Sequence, residues 1–180
     1  MQQKLEKIKL VITDVDGVLT DGQLYYDANG EAIKSFHVRD GLGIKMLMES
    51  GIQVAVLSGR DSAILRRRIA DLGITLFFLG KLEKESACFE LMKQAGVNPE
   101  ETAYIGDDSV DLPAFAVSGL SFAVADSPSY VKNAANYVLS LAGGKGAFRE
   151  MSDMILTAQG KSAVFNSAQG FLKSVKNMAQ

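Results

Sequence analysis

The chain has a single cysteine among its 180 residues, and no excess of basic charge. Cys88 alone cannot close an intrachain disulfide, so no disulfide framework holds this fold, and the composition fits a reducing compartment. Lysine and arginine number 19 against 21 acidic residues, a formal net charge of -2. That balance argues against a protein that binds nucleic acid through bulk basicity. No apolar window approaches the roughly 18 residues of a membrane span. Nothing resembles a signal peptide, because residues 1–9 carry several charges and the apolar run behind them is too short. There is no internal repeat, low-complexity tract or linker. These absences leave a soluble, cytoplasmic chain expected to form one domain over residues 1–180.

What is present is ordinary globular composition, 47% hydrophobic and 22% charged, arranged in alternation. Short β-branched runs are expected to be strands at Ile8–Thr13, Gln53–Leu57, Ile74–Phe78, Ala103–Ile105, Ser121–Val124 and Tyr137–Leu139. Between them apolar residues recur at helical spacing, as in Ile64, Leu65, Ile69 and Leu72. Gly51, Gly73, Gly96 and Gly119 stand where helices need a left-handed residue to stop. Alternating strand and helix gives right-handed crossovers and a mostly parallel sheet covered on both faces. That is the doubly wound α/β class, whose ligands bind beyond the carboxyl ends of the strands.

One segment breaks the alternation. Residues 24–36 read as a β-hairpin inserted after the first strand, with Asn29-Gly30 in the turn. An isolated two-stranded hairpin is marginal in water, so Tyr25, Tyr26 and Phe36 are expected to pack on the body or on another subunit. The stretch from Ala147 to Gln159 reads as helix. The tail over residues 160–180 has a weaker pattern, as a mobile terminus would.

The polar ends of the strands carry the chemistry. Strand one runs into Asp14-Val15-Asp16-Gly17, and strand two into Ser58-Gly59-Arg60. Lys81 and Lys84 follow strand three, and strand four ends in Gly106-Asp107-Asp108-Ser109-Val110-Asp111. Each piece alone is commonplace: aspartate is frequent in turns, and a lysine at a helix start is usually solvated. Together they put an acidic cluster, a hydroxyl and a lysine on one rim. Unpaired carboxylates in one site repel each other and drive up their own pKa values. A hard divalent cation such as magnesium removes that cost and leaves positions for a phosphate oxygen. The combination suits phosphoryl transfer, with Gly17 and Gly59 letting backbone N–H groups approach an anion.

This set of four segments resembles the motifs of the haloacid dehalogenase-like phosphohydrolases. The resemblance spans residues 8–150 and implies an aspartate nucleophile, an aspartyl-phosphate intermediate and a requirement for Mg2+. The segments Asp14 to Gly22, Phe36-His37-Val38-Arg39-Asp40-Gly41 and Gly143-Gly144-Lys145-Gly146-Ala147 are similar to those of one capless, tetrameric subfamily. These are the 3-deoxy-D-manno-octulosonate 8-phosphate phosphatases of lipopolysaccharide biosynthesis. No segment here is long enough for a separate cap domain, and the hairpin lies where that subfamily has its oligomer contact.

The resemblance implies that Asp14 attacks phosphorus and Asp16 serves as acid and then base. Asp14, the Asp16 backbone carbonyl and Asp107 would hold the metal. Ser58, Gly59 and Lys84 would bind the phosphoryl group. Lys84 is preferred to Lys81 because it matches the family position at the start of the following helix. Asp108 and Asp111 are expected behind these residues, orienting water or Lys84. The implied substrate is a small phosphorylated sugar acid, with Arg60 and Arg68 as candidates for its carboxylate. His37 is left a structural or subunit-contact role.

Alternatives are a phosphatase for a related nine-carbon sugar acid and a non-catalytic assembly domain of the same fold. A receiver-type signalling domain expects an acid after strand three. Phe77-Phe78-Leu79 supplies none.

Overall fold

A computed structural model of the chain describes residues 1–178; the last two residues of the tail expected to be mobile lie outside the described residues. The chain starts in a short helix, α1 (Gln2–Lys7), then enters β1 (Leu10–Thr13) and the hairpin strands β2 (Tyr25–Asp27) and β3 (Gly30–Ile33). Alternation follows through α2 (Val38–Glu49), β4 (Gln53–Leu57), α3 (Ala63–Leu72), β5 (Leu76–Phe78) and α4 (Glu85–Ala95). It continues through β6 (Thr102–Gly106), α5 (Leu112–Val117), β7 (Leu120–Ala123), α6 (Ser129–Ala134) and β8 (Tyr137–Val138). Two helices close the chain, α7 (Ala147–Ala158) and α8 (Ala168–Met178). None of the described helices is long and apolar enough to cross a membrane.

Six strands form one parallel sheet in the order β5-β4-β1-β6-β7-β8. β1 is central, with Ile12 opposite Ala55 on one side and Tyr104 on the other. Its side chains alternate between two cores, as a strand buried on both faces requires. Val11 joins Ile44, Leu47, Phe148 and Ile155 under α2 and α7, while Leu10 and Ile12 join Leu91, Met92 and Phe115 under α4 and α5. The chain turns back on itself between β1 and β6, so the switch point of the sheet lies between those strands. A ligand crevice opens at such a point.

The hairpin forms its own two-stranded sheet, with its turn one residue earlier than the sequence suggested. Asp27 pairs with Gly30, so Ala28 and Asn29 make the turn and Gly30 opens β3. Asp27 Oδ1 accepts from Asn29 N at 2.7 Å and holds the turn, which explains the shift. Gly51, Gly73 and Gly96 do adopt left-handed conformations, at φ 78°, 74° and 69°. Gly119 does not. Its glycine is needed for close approach, because a Cβ there would lie 2.6 Å from Glu100 Cα.

Those two causes give different costs. Gly51→Ala meets open space and should cost about 1 kcal/mol of backbone strain. Gly119→Ala drives a methyl into main chain and should cost about 1–3 kcal/mol. Urea denaturation of both variants checks the order, and an equal loss would contradict it.

Candidate active site

β1 delivers Asp14 into the crevice while Asp14 N still donates to Ile105 O at 3.0 Å, so the residue is fixed by the sheet. The chain then turns tightly, with Val15 O accepting from the backbone N–H groups of Val18, Leu19 and Thr20. Gly17 has φ 93°, and any Cβ there would collide with the Asp107 carboxylate arriving from β6. The glycine therefore lets the ends of β1 and β6 bring their acids together.

Behind them lies a buried polar network. The Lys84 side chain is 0% exposed and sits just before α4, with Nζ 2.9 Å from Asp14 Oδ1 and 2.6 Å from Asp111 Oδ1. Asp111 Oδ1 also accepts from Tyr104 OH at 2.7 Å, and its Oδ2 accepts from the backbone N–H groups of Asp107 and Asp108 at 2.8 and 3.2 Å. Asp111 thus spends both oxygens on fixing Lys84 and the turn that carries Asp107. Asp108 caps that turn, with Oδ1 accepting from Ser109 N at 2.7 Å.

Ser58 follows β4 and is buried, its N donating to Phe78 O and its O accepting from Lys81 N, both at 3.0 Å. Lys81 thus serves the site through its backbone; it lines a different hollow beside Phe78 and Glu83. The cleft at the crevice, about 310 Å³, is lined by Asp14, Asp16, Ser58, Gly59, Arg60, Lys84, Asp107 and Asp108, with Leu82 and Val110 at its mouth. A larger hollow of about 950 Å³ beside α2 and α7 holds none of these groups. Chemistry, not size, marks the smaller cleft.

Other candidates lie elsewhere or do something unforeseen. Arg68 stacks on Phe36, 5.4 Å from the ring centre, and does not line the cleft. Arg60 lines it but reaches the hairpin, donating to Tyr26 OH at 2.7 Å and Glu31 Oε2 at 3.0 Å. His37 caps α2, its Nδ1 accepting from Arg39 N at 3.2 Å. Sequence reasoning missed Lys34, which follows β3 and pairs with Asp16 Oδ1 while its own side chain is 3% exposed. No local spacing signals it. The Gly143–Ala147 loop packs on its own chain: Gly144 N donates to Val18 O at 2.9 Å, and a Cβ on Gly143 would strike Gly17 O.

The electrostatics of the site are those of an anionic hole. Burial, then the Asp111 charge, raises the Asp14 carboxyl to about 7 against the pull of Lys84. Burial followed by Asp14, Asp111 and Asp108 raises Asp107 to about 8. For Lys84, burial works against the charged form, but Asp14 and Asp111 outweigh it and the pKa rises. Carboxylate oxygens of Asp14, Asp107 and Asp111 all lie within 4.8 Å of one another. One ammonium among three acids leaves excess negative charge converging on one point. Such a concentration of carboxylate charge favours a hard divalent cation, and Asp14 and Asp107 are the two acids with oxygens to spare for it.

The chain is similar to proteins of known activity. A model of the haloacid dehalogenase-like hydrolases matches residues 79–147. The 3-deoxy-D-manno-octulosonate 8-phosphate phosphatase KdsC of Haemophilus influenzae is 84% identical over 180 residues, 100% of both chains. The chain belongs to the haloacid dehalogenase-like hydrolases, among the KdsC phosphatases. Escherichia coli K12 KdsC is 46% identical over 158 residues, 88% of this phosphatase and 84% of that one. The cobalt-bound Haemophilus influenzae structure superposes with a TM-score of 0.93 at 84% identity, covering 94% of this chain and 99% of that one. The Moraxella catarrhalis enzyme, solved with magnesium, phosphate and KDO, gives 0.88 at 39% identity, over 92% and 95% of the chains.

Raised carboxyl pKa values make stability depend on pH. Asp14 and Asp107 bind protons in the folded state up to about 7 and about 8, but only below the ordinary value near 3.8 when unfolded. The folded state therefore holds more protons between these limits, and stability falls as pH rises. Metal-free phosphatase in EDTA should melt lower at pH 8 than at pH 5.5. Added magnesium should raise the melting temperature more at pH 8. A metal-free melting temperature that climbs over this range would contradict the charge balance described.

Proposed function

We propose that the protein hydrolyses 3-deoxy-D-manno-octulosonate 8-phosphate to the free sugar acid and inorganic phosphate, with magnesium as its ion. The observation that carries this reading is the end-to-end 84% identity with the Haemophilus influenzae enzyme of that name. The acidic cleft at the switch point supports it.

Asp14 attacks phosphorus in line, its new O–P bond forming as the bond from phosphorus to the sugar oxygen breaks. Asp16 gives its proton to the departing oxygen, then takes one from the water that cleaves the aspartyl-phosphate. Lys84 pulls Asp14 toward the ionised form that attacks, and a bound divalent cation would add to that pull. Two of its three N–H groups face Asp14 and Asp111, leaving the third for a phosphoryl oxygen. Ser58 Oγ accepts from Arg60 N at 3.1 Å, so its own hydrogen is free to donate to the phosphoryl group. Gly59 offers its backbone beside it. Asp14, Asp107 and the Asp16 backbone carbonyl would hold the magnesium, since Asp111 is spent on four donors. A divalent cation bound there offsets the repulsion between a phosphate dianion and an anionic nucleophile.

The same reading makes the protein a cytoplasmic homotetramer built through its hairpins. Tyr25, Tyr26 and Ile33 stand exposed at 41%, 60% and 60%, apolar surface that a second copy would cover.

Phosphate release from 3-deoxy-D-manno-octulosonate 8-phosphate and a panel of sugar phosphates tests the reading. The octulosonate ester should give the highest kcat/KM, and EDTA should abolish turnover. Asp14→Asn should lower kcat by at least about 10³-fold with unchanged circular dichroism. Lys84→Ala should raise KM and lower kcat together. A better nine-carbon substrate, or an active Asp14→Asn, would overturn the assignment.

A further inference from the structure

Around Asp16 the hairpin and the Ser58–Ser62 segment place two cations and two anions in contact. Lys34 Nζ pairs with Asp16 Oδ1 and lies 3.6 Å from Glu31 Oε1. Arg60 donates through Nη2 to Glu31 Oε2 at 3.0 Å, and its Nε lies 3.6 Å from Asp16 Oδ2. The four charges cancel, so no cation is left over for a third carboxylate. The two acids are not held equally. Glu31 accepts from Arg60 and from Ser62 Oγ at 3.1 Å, besides facing Lys34. Asp16 has Lys34 alone at hydrogen-bonding distance. Asp16 Oδ2 and Arg60 Nε are both buried without a hydrogen-bond partner, and they face each other.

A sugar acid entering the cleft brings one more carboxylate to this balanced group. Arg60 has an unspent N–H, and its side chain is 38% exposed, open to the cleft. Asp16, with one hydrogen bond against the two of Glu31, is the acid with fewer contacts to give up. Its release matters, because an Asp16 oxygen turned toward Lys34 cannot also face the departing sugar oxygen.

We propose that Lys34 is a positioning residue that, with Arg60, keeps Asp16 withdrawn until the substrate's own carboxylate takes over these cations. Proton transfer to the leaving group then depends on an acidic group elsewhere in the same substrate. Discrimination against neutral sugar phosphates appears in kcat rather than in KM alone. The step itself is unchanged: the O–P bond to Asp14 forms, the bond to the sugar oxygen breaks, and the Asp16 proton passes to that oxygen. This inference rests on the phosphatase reading above.

The test uses full-length protein with magnesium and two alkyl phosphates, 3-deoxy-D-manno-octulosonate 8-phosphate and D-ribose 5-phosphate, which has no carboxylate. Acid catalysis is worth about 10²–10⁴-fold, so the wild-type kcat ratio should be about 10². Lys34→Met should raise kcat for ribose 5-phosphate relative to the octulosonate ester, narrowing the ratio at least about tenfold. Lys34→Arg should restore the wild-type ratio. A merely structural role would lower both values in parallel, and that result would overturn the proposal. Crystal structures of the unsubstituted protein give a second readout. With inorganic phosphate alone Asp16 should stay on Lys34, and with phosphate plus the sugar acid it should leave. Asp16 on Lys34 in both would equally overturn the idea. Wild-type protein that turns over neither ester would instead remove the phosphatase reading on which it stands.

Discussion

One buried ammonium group sits among three carboxylates, and the construction of the rim follows from that shortage. At an effective dielectric constant of about 20, a unit pair 4 Å apart interacts by about 4 kcal/mol. Lys84 attracts Asp14 and Asp111 from 2.9 and 2.6 Å, while the three acids repel one another within 4.8 Å. On that scale, attraction and repulsion are each on the order of 10 kcal/mol and nearly cancel. Desolvation, several kcal/mol for each buried ion, therefore decides the balance. Two carboxyls consequently hold protons far above their ordinary range. The excess negative charge converges on oxygens that rigid strand ends hold in place. The fold holds an unfavourable charge arrangement, and a divalent cation bound there would relieve it and admit a phosphate dianion.

Most of this rim was legible in the sequence because it is built locally. Asp14, Ser58, Lys84 and Asp107 each follow a strand by a few residues, and a parallel sheet brings all strand ends to one side. Strand positions were recognisable from β-branched runs, and β4 matches its expected range, Gln53–Leu57. In the sequence, family position alone favours Lys84 over Lys81. The physical cause lies in the fold: Lys84 stands just before α4 and turns inward, while Lys81 is spent through its backbone on Ser58.

What the sequence did not disclose depends on contacts distant along the chain. Tyr104 reads as one more apolar residue of β6, yet its hydroxyl is a donor to Asp111 at the bottom of the site. Lys34 lies 18 residues from Asp16, beyond a hairpin whose orientation no periodicity encodes. Arg60 is adjacent to Ser58, so its presence at the cleft was foreseeable, but its engagement with Tyr26 and Glu31 was not. Gly119 shows the same limit in the backbone. A glycine after a helix suggests a left-handed stop, and only the packing against Glu100 reveals a close approach instead.

The loop carrying Asp16 also shows which motion the site permits. Its backbone is held from within by Thr20 Oγ1, which accepts from Gly17 N and Gly22 N at 3.3 and 3.2 Å. It is held from behind by Gly143 and Gly144, where added side chains would strike Gly17 and Thr20. That second loop is anchored in turn: Gly143 N donates to Asp126 Oδ1 at 3.0 Å, and Asp40 Oδ1 accepts from Arg149 N at 2.9 Å to cap α7. A backbone clamped on both sides cannot swing as a lid. The carboxylate of Asp16 is left with side-chain rotation as its freedom, and rotation is governed by the cations beside it. A capless site of this kind has no domain closure to report that the right substrate has arrived. Charge exchange at the hairpin gives recognition at one end of a sugar acid a route to its phosphate.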